Sequence, residues 1–105
     1  MIEVHKDNFN SEVLEADGLV LVDFWGPKCE NCLALMPEIE GLAAKYGDRV
    51  KFCKLDTTGN RRLAISQKVL GLPTISFYRK GDKVAELTQD EVTPEAVEAK
   101  ITELM

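Results

Sequence analysis

The run Leu19-Val20-Leu21-Val22-Asp23-Phe24-Trp25 is apolar at every position but one. That is the pattern of a strand covered on both faces, not the alternation of a strand with one wet side. Such a strand belongs in the middle of a sheet with helices above and below it, and the flanking segments supply candidates. Asp7 to Ala16 reads as a helix, with Phe9, Val13 and Leu14 at helical spacing, polar capping residues at its start and Gly18 stopping it. From Asn31 to Tyr46, the residues Leu35, Ile39, Leu42, Ala43 and Tyr46 recur at intervals of three and four, a long amphipathic helix ended by Gly47. Pro37 lies inside it and should bend it by removing one hydrogen bond.

The other segments continue the alternation. Ile2 to His5 is a short strand candidate and Val50 to Asp56 another. Asn60 to Val69 follows as a helix, with Leu63, Ala64, Val69 and Leu70 expected to face inward. Thr74 to Tyr78 and Lys83 to Leu87 are strands joined by Arg79-Lys80-Gly81-Asp82, whose Gly-Asp suits a tight hairpin turn. Thr93-Pro94-Glu95-Ala96 opens the last helix with a capping residue and a proline at the first helical position. The order βαβαβαββα predicts an α/β protein, a three-layer sandwich whose parallel connections come first and whose hairpin closes a mixed sheet.

At 105 residues, without repeats or a Pro/Ser/Gly-rich linker, residues 1–105 read as one domain. The 45% apolar and 30% charged content is that of a soluble globular chain. A net charge of −5 argues against nucleic acid, which calls for a clustered basic surface. The start, Met1-Ile2-Glu3-Val4-His5-Lys6-Asp7, lacks the layout of a secretory signal, and the apolar run Gly18 to Val22 is too short to cross a bilayer. A cytoplasmic address and no membrane partner are therefore expected. Monomer is the default for a small acidic domain.

Three cysteines are too few for a disulfide scaffold, and in a reducing compartment C-x-x-C reads as catalytic or metal-binding. Cys29 and Cys32 stand where the apolar strand hands over to the long helix. Unpaired backbone N–H groups and the helix dipole both favour negative charge there, and the thiolate is the reactive form in disulfide exchange. Cys53, alternating with Phe52 and Lys54 in a strand, reads as a small buried hydrophobe. His5, the single histidine, reads as a surface or strand-edge residue.

With these residues assembled, the chain resembles the thioredoxin family over its whole length. The resemblance is carried by Asp23-Phe24-Trp25, by Cys29 and Cys32 with Pro37 five residues on, by Lys54-Leu55-Asp56, and by Gly71-Leu72-Pro73-Thr74 ahead of Ile75-Ser76-Phe77-Tyr78. It implies the thioredoxin fold with a five-stranded sheet. The departures are equally plain. The family usually carries Trp-Cys-Gly-Pro-Cys, whereas this chain reads Trp25-Gly26-Pro27-Lys28-Cys29-Glu30-Asn31-Cys32. A glycine usual after the last strand is missing, with Gln89 and Asp90 in that region.

The resemblance implies a reductase of protein disulfides that uses its own dithiol, with no bound cofactor and no metal, recharged by a thioredoxin reductase or an equivalent donor. It makes Cys29 the nucleophile that forms a mixed disulfide and Cys32 the thiol that resolves it. Asp23 is the lone carboxylate of its strand, and burial should raise its pKa. In the family the matching aspartate relays the proton of the inner cysteine, and Lys54 matches the lysine beside it. Pro73 matches a cis-proline, and the backbone of the residue before it, here Leu72, pairs with an extended substrate segment. Lys28, Glu30 and Asn31, with Gln89 and Asp90, belong to the rim that partners touch, and Trp25 packs beside the active site as part of the substrate surface, with a purely structural core tryptophan as the competing reading.

A unit charge about 6 Å away in a water-like dielectric contributes about 0.7 kcal/mol, on the order of half a pKa unit. Glu30 disfavours the Cys29 thiolate by that amount and Lys28 favours it, so a potential near the thioredoxin reference of about −270 mV is expected. Competing readings are a disulfide oxidase or isomerase, a non-catalytic subunit binding through the same surface, and a zinc module. The last would need Cys53 and His5 as distant ligands, since a second C-x-x-C or paired histidines are absent.

Overall fold

The computed structural model describes residues 1–105. Five strands, β1 (Ile2–Glu3), β2 (Leu19–Trp25), β3 (Lys51–Asp56), β4 (Thr74–Arg79) and β5 (Asp82–Thr88), form one sheet in the order β1-β3-β2-β4-β5. The first three run parallel; β4 is antiparallel to β2 and to β5. The doubly covered run therefore lies at the centre of the sheet, as its composition requires.

Alternation along β2 divides the interior in two. Leu19 and Leu21 point into a core closed by α1 (Glu30–Tyr46) and α3 (Pro94–Leu104) through Leu35, Ile39, Leu42, Val97 and Ile101. Val20, Val22 and Phe24 point the other way, against Phe9, Val13 and Ala64, the last on α2 (Arg61–Ser66). The three predicted layers and mixed sheet are present. Asp23 shares the face of Leu21, and Lys54 that of Phe52, so both belong to the α1 side. Cys53, fully buried, faces the opposite layer.

Several local expectations are corrected. The first helix is not an α-helix over Asp7 to Ala16 but a single π-helical turn, Asn10–Leu14, in which the Glu15 N–H reaches back to the Asn10 carbonyl. It is too short to sustain a ladder, but it still buries Phe9 and Val13. The helix expected over Asn60 to Val69 is shortened to α2, Arg61–Ser66, and a 3₁₀ turn at Thr57–Gly59 precedes it. A left-handed Lys68 (φ 64°) then turns the chain, burying Val69 and leaving Leu70 89% exposed instead of inward.

In the hairpin, Arg79 pairs with Asp82, so the two turn residues are Lys80 (φ 52°) and Gly81 (φ 87°) rather than Gly-Asp. Positive φ at both is what a type I′ connection demands. Helix α1 runs on through Pro37 and ends at Gly47, which is not left-handed. Its reason is space: a Cβ there would run into the Ala43 carbonyl oxygen. Thr93 caps α3 as expected, its hydroxyl accepting the Ala96 N–H at 3.1 Å with Pro94 in the first turn.

Candidate active site

Strand β2 ends at Trp25, and a short turn through Gly26, Pro27 and Lys28 delivers the chain to α1. Cys29 is the N-cap of that helix: its backbone is extended, and its Sγ accepts the Cys32 N–H at 3.2 Å. The sulfur thus occupies the position where a serine or aspartate oxygen ordinarily satisfies a first-turn donor. Cys29 is half-buried and Cys32 only 1% exposed. The two are joined in a disulfide with a Cα–Cα distance of 5.2 Å, which is the oxidised state of the pair.

Asp23 is fully buried, and neither of its carboxylate oxygens has a hydrogen-bond partner. Burial pushes its pKa up to about 7, against the opposing pull of the Lys54 ammonium, its partner across the β2/β3 ladder. Trp25 is partly buried; its carbonyl accepts the Thr57 hydroxyl at 3.1 Å, while its buried indole N–H has no acceptor. Burial also raises the Cys53 thiol to about 11, an environment that suppresses thiolate. No three His, Cys, Asp or Glu side chains cluster closely enough to hold a metal ion.

The Leu72–Pro73 peptide bond is cis, and Pro73 is buried. Gly26 lies beside it, since a Cβ on Gly26 would come within 3.3 Å of Leu72 Cδ1. The loop carrying the cysteines and the loop carrying the cis-proline are therefore neighbours. Lys28, Glu30 and Asn31 are all exposed on this rim. Asn31 and Pro73 line one cavity together with Glu38, Gln89 and Asp90.

Three residues shape this geometry through contacts that the sequence did not show. Gly26 and Gly71 let neighbouring side chains approach closely: a Cβ on Gly71 would meet Gln89 Nε2 at 2.9 Å and push that side chain aside. Gln89 itself is left-handed (φ 50°) and donates its N–H to the Pro73 carbonyl at 2.8 Å. A glutamine holds here a conformation that glycine adopts at no steric cost. The glycine absent after the last strand was the one signal for it.

Residues 1–103 match the thioredoxin family model. The chain is 54% identical over 101 residues to a thioredoxin of Acetoanaerobium sticklandii, with 96% of each chain covered. It is likewise 54% identical to a thioredoxin of Peptoclostridium acidaminophilum, covering 96% of this chain and 92% of that one. A protein disulfide-isomerase A6 homologue of Drosophila melanogaster is 38% identical over 86% of this chain, which spans 21% of that larger protein.

Proposed function

Because the chain belongs to the thioredoxin family and is a thiol–disulfide oxidoreductase that reduces protein disulfides, we propose that Cys29 is the attacking sulfur and Cys32 the resolving one. The observation that carries this assignment is the position of Cys29 Sγ as the N-cap acceptor of α1, with Cys32 buried behind it. In the reduced protein, the same N–H groups and the helix dipole favour a thiolate on Cys29. That thiolate attacks one sulfur of the substrate disulfide, forming a Cys29–substrate bond and releasing the other substrate sulfur as a thiolate. Cys32 then gives up its proton and attacks Cys29 Sγ, releasing the second substrate thiol. Two electrons pass to the substrate, and the Cys29–Cys32 disulfide is left behind.

Asp23 is the base that takes the Cys32 proton. Its pKa of about 7 suits the task, since a group that ionises near working pH can both accept and return a proton. Lys54, opposite it in the ladder, is a positioning residue that holds that pKa from rising further. Leu72 offers its backbone to an extended substrate segment beside Pro73, and Trp25, Lys28, Glu30 and Asn31 form the rim such a segment crosses. The family implies redox partners, a reductase that returns two electrons and disulfide-bearing proteins that consume them; we take the donor to be a thioredoxin reductase or its equivalent. The dithiol is the whole redox centre in this reading, with no further cofactor.

We read residues 1–105 as one domain acting as a monomer in the cytoplasm, where a free thiol such as Cys53 stays reduced. No helix is long and apolar enough to cross a membrane. Insulin reduction driven by a chemical reductant tests the activity, and trapping tests the roles. A Cys32→Ser variant should accumulate mixed disulfides on Cys29, and Cys29→Ser should not. Adducts forming on Cys32 instead would reverse the assignment.

A further inference from the structure

The two most exposed large apolar side chains of the molecule, Leu70 (89%) and Ile65 (62%), lie on the same side of the cis-proline loop. They line a cavity of about 270 Å³ together with Thr57, Arg61 and Leu72. The backbone holds Leu70 there: left-handed Lys68 ends α2, Val69 turns into the core, and Leu70 is directed outward. Next to this cavity runs a second groove lined by Lys6, Arg61 and Arg62 and by no carboxylate, with Arg61 shared between the two. None of these three cations has an ion-pair partner within the chain. A cationic groove without acids stands out on a protein of net charge −5.

From this arrangement we propose that the substrates are disulfide proteins whose extended segment carries an apolar side chain beside the attacked cysteine, followed by acidic residues. The apolar side chain enters between Ile65, Leu70 and Leu72, and the acidic residues reach Arg61, Arg62 and Lys6. The proposal rests on the reductase reading with Leu72 as the docking position, because the cavity begins at Leu72 itself. Burial of apolar surface supplies the affinity, and the unpaired cations fix which way the segment lies.

The test uses the reduced full-length protein and four synthetic peptides, each bearing one cysteine in mixed disulfide with a chromogenic aryl thiol. The neighbouring residues are Leu-Glu, Ser-Glu, Leu-Lys or Ser-Lys. The Leu-Glu peptide should release its chromophore about fivefold faster than Ser-Glu and about threefold faster than Leu-Lys at low salt. The second preference should shrink as salt is added. Leu70→Ser should abolish the first preference and Arg61→Glu should invert the second; both side chains are exposed, so folding is not at stake. Equal rates on all four peptides, or preferences that persist in both variants, would overturn the docking proposal while leaving the reductase intact. Failure to release chromophore from any peptide would remove the reductase reading, and the docking with it.

Discussion

Asp23 makes folding depend on pH, because its carboxyl is buried, has no hydrogen bond and ionises at about 7 instead of near 3.8. Between those values the unfolded chain has released the proton and the folded chain still holds it. Stability therefore falls as pH rises through that window, by about 4 kcal/mol in all at 1.36 kcal/mol per pKa unit, and levels off above pH 7. Asn at this position mimics the protonated acid at every pH. Asp23→Asn should thus raise the melting temperature clearly at pH 8 and hardly at pH 4, which calorimetry at the two pH values would measure. The same variant should slow resolution by Cys32 more than attack by Cys29 in rapid-mixing experiments; equal slowing would remove Asp23 from the proton path. At the dithiol itself, the opposed charges of Lys28 and Glu30 stand on the exposed rim either side of Cys29. Equilibration with glutathione should place the couple near about −270 mV, and a value near about −120 mV would contradict that balance.

The elements differ in how firmly their own residues specify them. Helix α3 is announced by Thr93-Pro94 and built as announced, so Thr93→Ala should cost about 1 kcal/mol, seen as a lower urea midpoint at unchanged slope. The hairpin turn is imperfect, since Lys80 sits at φ 52°, where the Cβ of an L-residue crowds the backbone carbonyl oxygen and only Asn, Asp and Gly are readily accommodated. Lys80→Asn should gain about 0.5 kcal/mol in the same measurement. The π-helical turn and α2 were less legible. Their apolar positions Phe9, Val13, Ala64 and Val69 were readable from spacing, but their lengths depend on what the sheet leaves uncovered. Leu70 shows the limit most plainly. Periodicity carried it inward with Val69, and one left-handed residue, Lys68, put it in solvent.

Across the whole molecule, stability concentrates where two cores meet on the central strands. Amide exchange should be slowest in β2, β3 and β4 and faster in the two-residue edge strand β1 and the partly exposed β5. Ile39→Ala, at a fully buried site between α1 and the sheet, should cost about 3 kcal/mol, whereas Leu70→Ala should change stability by less than about 0.5 kcal/mol. The amino-acid sequence alone determined the central strand, the layer order and the presence of a dithiol at a helix start, because burial periodicity and capping chemistry are local properties of a chain. Only the tertiary structure decided that the Leu72–Pro73 loop lies beside Gly26, that Gln89 closes over Gly71, and that Ile65, Leu70 and Arg61 share one cavity. Those relations join residues far apart in the chain, and which of them meet is set by how the strands pair and where each loop is left to turn.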